Sequence, residues 1–577
     1  MSEKSTALLI AGMHRSGTSL VASAVSQLGV EIGRQLVPSD HRNPRGYFED
    51  VEFLALQRKV LQQCSPADDG GHPDWGWTPS EQLDRKRIAR FRDEAQRLVD
   101  ARSGRTRVGG SKDPRTTLLL DFWDEILDDA RFLLVYRVPW EVADSMQRTG
   151  EEVFLRHPEW ALPIWCFYNR HLIDFYRRHA ERCLLVSANA VRGALSRVRA
   201  LMSEKLGIES GEAPASDPFD PMLFRTRDLS DPMVSLTVAT SHGAIQLLEQ
   251  LEVLADIPTV AGGWAASSRP AVRFTQRAVE LTESPVELSI VVPCFNDGEL
   301  LLDAVASVER HAPDGCELII VNDGSTASRS LEILRALRRL GYVVIDQDNA
   351  GLSAARNTGM RAARGRYLLP LDADNRLREG FLEAASACLD RRPEVGVVFG
   401  DRELFGWRTG RVAVAEFDLK SMLASNYIDA CAVFRRKVWS DCGGYDTNLT
   451  GFEDWELWIN VAKRGWRFHH LDAVTFDYRV RPGSLVEGSL HPKVLATLLA
   501  HIHRKHRDVF AAHLPLSLRW LGGSGAQQVS PSHGVRERIA ELVNVAFWRS
   551  RWFFRRRAWR RHRQVLGRPA WRSLERA

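Results

Sequence analysis

The chain has no Cys-x-x-Cys pair and no apolar run approaching the length of a membrane span. Its eight cysteines stand singly at Cys64, Cys166, Cys183, Cys294, Cys316, Cys388, Cys431 and Cys442. That scatter argues against a zinc knuckle and a disulfide framework, and it points to a reducing compartment. A transmembrane helix needs about 18 or more consecutive apolar residues, and no stretch supplies them. The opening MSEKSTALLIAGMHRSGTS holds one short apolar run without a signal-peptide cleavage region. No segment repeats at a fixed period, which excludes a solenoid. The expected location is the cytoplasm.

A formal charge of +5 over 577 residues hides an uneven distribution. Residues 548–577 hold eleven arginines and one acid, Glu575. Without them the chain counts 67 basic and 72 acidic residues, a charge of −5. The basic character therefore belongs to the C-terminal tail. Its run WRSRWFFRRRAWRRHRQ (548–564) mixes arginines with Trp548, Trp552, Phe553, Phe554 and Trp559. This mixture suits an anionic membrane surface, such as the inner membrane face. It also suits a helix packing its aromatics on the rest of the protein, and it suits nucleic acid less well.

With 44% apolar residues and this length, the chain can bury several cores. Residues 1–255 alternate strand-like runs (ALLIAGM, RFLLVYRV, RCLLVSA) with amphipathic helical patterns, which predicts a parallel α/β sheet. Residues 256–285 read as a linker, with Gly262-Gly263 and Pro270. From 286 to 490 a second alternation begins with ELSIVVPCF, CELIIVND, YVVIDQ and RYLLPLD, which predicts a second doubly wound sheet. Residues 491–577 are expected to be helical, ending in the basic tail.

Gly12 and Gly17 have the G-x-x-x-x-G spacing of a phosphate-binding loop between a strand and a helix. The Walker lysine is absent: Thr18-Ser19 follows Gly17, and Arg15 lies inside the loop. Arg137 closes a strand, and Ser145 follows eight residues later on the next helix, a spacing that lets both reach one phosphate. GGSKDPR (109–115) adds Lys112 and Arg115 near another strand end. Residues 8–145 resemble the 3′-phosphoadenylylsulfate (PAPS)-dependent sulfotransferases, especially the branch whose loop reads R-S-G-T. The resemblance implies that Arg15, Ser16, Gly17, Thr18 and Ser19 bind the 5′-phosphosulfate and that Arg137 and Ser145 bind the 3′-phosphate. Sulfuryl transfer also needs a base on the acceptor hydroxyl. Glu49 in NPRGYFED (43–50) is the first candidate, with Asp50, His14 and His41 nearby; capping of a following helix by Glu49 and Asp50 is the bland alternative.

The second half carries an ordered series of motifs at strand ends, where open α/β sheets place ligands. These are Pro293 in IVVPCFND, Asp323 in IIVNDGST, Arg356-Asn357 in QDNAGLSAARNTGM, and Asp372 and Asp374 in RYLLPLDADN. Paired carboxylates of this kind can hold Mg²⁺ or Mn²⁺ and so neutralise a diphosphate. Residues 286–485 resemble the inverting family 2 glycosyltransferases of the GT-A fold. That resemblance implies a nucleotide-diphospho-sugar donor, with a UDP-sugar first. Asp323 would contact the base, Pro293, Arg356 and Asp372 would lie at the donor, and Asp372 and Asp374 would hold the metal. In GFEDWELW (451–458), Asp454 would be the catalytic base and Glu453 would orient the acceptor. Two positions depart from the family pattern. Asn322 replaces the first acid of D-D-G-S, and Arg481 stands where many relatives have a histidine.

The combined expectation is two α/β domains plus a basic tail: a P-loop sulfotransferase-like domain and a GT-A domain. The enzyme would glycosylate and sulfate a glycan or glycolipid acceptor, with peripheral membrane contact through the tail. A glycosyltransferase whose first domain only binds a nucleotide or a partner is the rival. A small-molecule kinase is a third reading, opposed by the missing lysine.

Overall fold

A computed structural model describes residues 6–39, 43, 46–65, 83–102, 108–191, 193–209, 211, 226–227, 230–259, 286–482, 484 and 488–513. His41, most of the expected linker (260–285) and the basic tail lie outside these residues.

The first sheet is built from β1 (Thr6–Ala11), β2 (Glu31–Ile32), β3 (Val108–Lys112), β4 (Ala130–Tyr136) and β5 (Cys183–Ser187). All five are parallel, in the order β2-β3-β1-β4-β5. Strands β1, β4 and β5 read as nearly continuous apolar runs because both faces are covered. Leu8 and Ile10 enter one core with Leu133 and Val135, while Leu9 and Ala11 enter the other with Phe132 and Leu134. Helix α1 (Thr18–Gln27) follows β1 directly, and α2 (Val51–Cys64) is capped by Asp50, whose carboxylate accepts from the Glu52 N–H. Helices α3 (Pro139–Arg148) and α4 (Ala161–His179) follow β4. Beyond α5 (Pro232–Thr240) and α6 (His242–Leu254), Asp256 to Thr259 lie against β5. There Ile257 bridges Val186, and the Ser187 N–H donates to Ile257 O at 2.8 Å. The first unit thus runs past the expected boundary at 255.

The second sheet holds β6 (Leu288–Cys294), β7 (Cys316–Asp323), β8 (Val343–Gln347), β9 (Tyr367–Pro370), β10 (Arg376–Leu377), β11 (Val395–Gly406), β12 (Gly410–Val412), β13 (Val433–Arg435) and β14 (Arg467–Val480). Its order is β10-β14-β11-β13-β9-β6-β7-β8, with β12 beside β11. Only β9-β6-β7-β8 forms the parallel ladder that the alternation predicts. The remainder is mixed, which corrects the expectation of a doubly wound sheet throughout. The β11–β12 connection between Gly406 and Gly410 is a tight hairpin, and a turn that short can join only antiparallel strands. Strand β13 then runs antiparallel to both β9 and β11. Pro293 is tolerated in the central strand β6 because the β6–β9 ladder ends at Val291. Helices α7 (Gly298–His311), α8 (Ser328–Leu340), α9 (Leu352–Ala362), α10 (Glu453–Lys463) and α11 (Pro492–Lys505) are among those that cover this sheet. Among the described residues no helix is long and apolar enough to cross a membrane.

The two halves pack on each other through α5, which lies against α7 and α8. Leu236 of α5 is fully buried in the core of the second half. Polar contacts surround it: Arg310 donates to Asp231 at 2.7 Å, and Arg329 donates to Thr240 O at 2.6 Å and to Ser241 Oγ at 2.8 Å. Nearby, Asp303 of α7 is buried with Arg376 at 2.6 Å and with Arg479. Burial alone would raise its carboxyl pKa, but the arginine charges reverse the sign and hold it well below the ordinary carboxylate range. Its stabilising contribution is therefore present above the unfolded carboxylate pKa and is lost as pH falls below it. Replacing Asp303 with Ala strands a buried charge on Arg479, and we expect a loss of about 3–5 kcal/mol. Chemical denaturation at pH 7 measures this; a loss below about 1 kcal/mol would contradict the account.

Candidate functional site

The second site gathers at the C-terminal ends of β6, β7 and β9 and at the first turn of α10. Asp323 ends β7, and both its carboxylate oxygens are engaged. Oδ1 accepts from Gln347 Nε2 at 2.7 Å and the Ala350 N–H at 2.9 Å, and Oδ2 accepts from the Gly351 N–H at 3.0 Å. It thereby shapes the turn that leads into α9. Gly324 is required beside it: its φ is +70°, and an added Cβ would stand 2.6 Å from Asn349 N. The departure at Asn322 has a structural reason. Its Nδ2 donates to Asp346 Oδ1 at 3.0 Å, and its Oδ1 accepts from the Ser325 N–H at 3.0 Å. An aspartate there would lose the donor and face the Asp346 carboxylate.

Arg356 of α9 joins the motifs. Its side chain is buried; NH1 donates to Glu453 Oε1 at 2.6 Å and NH2 donates to Asp372 Oδ1 at 2.5 Å. The guanidinium also stacks over the Tyr445 ring at 5.3 Å. Burial opposes its charge, yet the Asp372 and Glu453 carboxylates overcome that and raise its pKa well above the ordinary value. Asn357, beside it, is a scaffold: Oδ1 accepts from the Tyr445 N–H and from Trp439 Nε1, while Nδ2 donates to Tyr445 O.

Glu453 and Asp454 open α10, preceded by Phe452 in the left-handed region at φ +59°. Asp454 accepts from Asn426 Nδ2 at 3.0 Å through Oδ2 and from the Trp455 N–H at 2.8 Å through Oδ1. Burial, followed by the charges of Glu453 and Asp429, pushes its carboxyl up to about 7. This is the protonation behaviour of a base poised near neutrality.

Asp374 follows the same logic. Burial, together with Asp372 and Asp297, pushes it up to about 6 against the opposing charge of Arg481. Arg481 donates to Asp374 Oδ2 at 3.1 Å and to Asp297 Oδ2 at 2.6 Å. Among the described residues, no three His, Cys, Asp or Glu side chains cluster as a closed metal cage. Asp372 and Asp374 each direct one oxygen at an arginine, and among the described residues the other oxygen accepts no hydrogen bond. Two carboxylates of this kind fit a hard divalent ion whose remaining ligands come from a diphosphate and water. His470 lies elsewhere, 3.0 Å from Asp401 between β14 and β11, and His469 is next to it on β14.

The first site surrounds the β1–α1 loop. Gly12 has φ +158°, and a Cβ there would collide with Val135 O at 2.2 Å. Arg15 adopts φ +66° and donates from Nε to Ser145 Oγ at 2.9 Å. Arg137 donates to Arg15 O at 3.3 Å and pairs with Glu141 at 2.8 Å. Loop, strand end and helix hydroxyl thus meet. Burial lowers the Arg137 pKa from its ordinary value, in part offset by Glu141. Among the described residues the buried Ser16 Oγ has no hydrogen-bond partner, and Gly17 opens α1 with no side-chain cap. Thr18 is buried in the first turn, and Ser19 Oγ donates to Tyr47 O at 3.1 Å. Glu49 is buried with Lys112 at 2.8 Å and Arg115 at 3.6 Å. Asp50, by contrast, is the cap of α2 and pairs with Arg102 at 2.8 Å. The capping alternative therefore holds for Asp50 and does not hold for Glu49.

Several residues at the second site carry no motif signal in sequence. Asn426 and Asp429 come from the SNYIDAC loop, Asp297 from the end of IVVPCFND, and Tyr445 from a Gly-Gly-Tyr turn. Only the polar interruption of SNYIDAC before a short strand could have drawn attention to it.

The family description "Glycosyl transferase family 2" matches residues 289–443, and "Glycosyl transferase family group 2" matches residues 367–574. The C-terminal half thus carries a family 2 glycosyltransferase domain. Among curated relatives, an uncharacterized protein y4gI of Sinorhizobium fredii is 26% identical over 238 residues, covering 39% of this chain and 26% of its own. The uncharacterized glycosyltransferase EpsJ of Bacillus subtilis is 43% identical over 90 residues, covering 15% of this chain and 26% of its own. The O-antigen biosynthesis protein RfbC of Myxococcus xanthus is 26% identical over 263 residues, 44% of this chain and 20% of its own. The chain therefore spans about a quarter or less of the length of these relatives. Among solved structures, S. aureus TarS 1–349 in complex with UDP-GlcNAc aligns with a TM-score of 0.33 and 18% identity, over 41% of this chain and 76% of that one.

Exchanging Asn322 for Asp removes the donor to Asp346 and sets two carboxylates side by side. We expect a loss of about 1–3 kcal/mol in urea denaturation. Asn322→Ser, which keeps a small polar group without adding charge, should lose less; equal losses would remove the electrostatic explanation.

Proposed function

We propose that the second half transfers a sugar, with inversion, from a nucleotide-diphospho-sugar to a hydroxyl of a glycan or glycolipid acceptor in polysaccharide biosynthesis, with a UDP-sugar as donor. The observation that carries this reading is the Arg356 bridge between Asp372 at the end of β9 and Glu453, the residue before Asp454. Asp454 takes the acceptor proton as the hydroxyl attacks the anomeric carbon, and the nucleoside diphosphate leaves from the opposite face. Glu453, fixed by Arg356, orients the acceptor. A divalent ion on Asp372 and Asp374 would neutralise charge on the leaving diphosphate. Arg481, already within reach of Asp374, adds positive charge at the same place.

For the first half we propose sulfuryl transfer from PAPS. The loop Arg15–Ser19 would cradle the phosphosulfate, Arg137 and Ser145 the 3′-phosphate, and Glu49 would accept the acceptor proton. The meeting of Arg15, Arg137 and Ser145 supports an anion site there. The ion pairs of Glu49 with Lys112 and Arg115 favour a second reading, in which this half binds the nucleotide without turnover. The basic tail would hold the enzyme at an anionic membrane surface where a lipid-linked acceptor is presented.

Asp454→Asn should lower kcat for glycosyl transfer by about 10²–10⁴-fold while leaving UDP binding intact. The wild-type rate should rise with pH through about 7, because the base must be deprotonated to act. Wild-type kcat in Asp454→Asn would end the assignment. Adenosine 3′,5′-bisphosphate should raise the thermal midpoint of the wild type and not of Arg137→Ala. PAPS-dependent sulfation of a glycan then separates transfer from mere binding.

A further inference from the structure

A cleft of about 710 Å³ opens at the junction of the two halves, away from both candidate sites. One wall is α4 and the start of α6 from the first half, and the other is α8 from the second. Its floor is apolar, with Leu162, Cys166 and Ala336 buried. Its rim carries Arg170, Arg335 and Arg339, all exposed. Among the described residues these three have neither a hydrogen-bond nor an ion-pair partner.

The surrounding charges make that lack informative. Arg335 and Arg339 stand one helical turn apart on α8, a like-charge spacing that is unfavourable by itself. Arg338, between them, turns away and pairs with Asp346 at 2.7 Å. Arg329, at the start of α8, is consumed by Glu299, Thr240 and Ser241. Glu332 is the acid lining the cleft, and it lies 3.4 Å from Arg329. The Arg329 contact has a second effect. It occupies Ser241 Oγ, the natural cap of α6, which makes no side-chain cap bond. The His242 and Gly243 N–H groups at the cleft edge therefore find no acceptor among the described residues. Three fork-shaped cations and a helix start thus face a concave apolar floor, which is the complement of an oxyanion on an organic body.

We propose that this junction cleft binds an organic phosphate or sulfate ester, its oxyanion held by Arg170, Arg335 and Arg339 and its body on the apolar floor. The ligand would touch both halves, so it would bind only the assembled chain. The chemistry is shared by a lipid phosphate and a soluble ester, and the test separates them.

Hexyl phosphate is titrated calorimetrically into the full chain with saturating UDP and adenosine 3′,5′-bisphosphate, which fill the other anion sites. We expect saturable binding that weakens at least tenfold in R170A/R335A/R339A. All three positions are exposed, so the variant keeps its fold, which an unchanged thermal midpoint verifies. Equal affinity in both proteins, or no saturable binding to the wild type, overturns the proposal. Vesicles of phosphatidylglycerol and phosphatidylcholine supply the second arm. Weaker retention of the variant assigns the site to a lipid headgroup, and equal retention alongside the calorimetric loss assigns it to a soluble ester. Should UDP and adenosine 3′,5′-bisphosphate fail to bind, the proposed activities fall, but the comparison of wild type with variant still decides the cleft.

Discussion

Arg356 is withdrawn from water on every side, and its guanidinium spans carboxylates from two segments that meet only in the folded state. A buried guanidinium is costly unless its charge is answered, and Asp372 and Glu453 answer it. The three groups therefore fix the distance between the end of β9 and the start of α10. Tyr445 beneath the guanidinium and Asn357 behind Tyr445 extend that constraint into the hydrophobic core. The position of Asp454 follows from it, since Asp454 is the next residue of the same helical turn. Burial first, and then the charges of Glu453 and Asp429, raise its proton affinity, which a carboxylate exposed to solvent would not show.

The central parallel strands β1, β4, β5, β6 and β7 were legible because they are buried on both faces and carry long apolar runs. Leu8 to Ala11 and Ile290 to Val292 illustrate this, with successive residues entering opposite cores. The mixed half of the second sheet was not legible. Strand β13 has three residues and β10 has two, too short for any period to register. Of the site, the residues that sit at strand ends stood out, because glycine, acid and arginine interrupt apolar runs there. Residues that act by tuning a neighbour did not. Asp429 and Asn426 lie in a loop whose proximity to α10 is a matter of tertiary packing, and Asp297 meets Arg481 across 184 positions of chain. Asn322 was visible as a departure, but its reason, the carboxylate of Asp346 on the next strand, belongs to the sheet register.

Helix α3 ties the two sites into one ionic surface. It offers Ser145 to the first loop, and one turn of the same helix carries Asp144 to Arg227 and Gln147 toward Arg479. Arg479 in turn hydrogen-bonds the backbone carbonyl of Asp374. Each half thus supplies part of the packing behind the other's phosphate-facing groups, and neither surface at the junction resembles a finished exterior.

Leu236 gives this junction a consequence for how such a chain can be inherited. Helix α5 precedes the segment that separates the two sheets in sequence, yet its central leucine is embedded in the core of the second one. The unit that recombination could exchange intact is therefore not the unit drawn by the sheets. A crossover near residue 260 would deliver a second half with an open socket and a first half with an apolar plug and no host. The same helix gives Val234 and Val238 to the core of the first half, so no single crossover between the sheets leaves both cores closed.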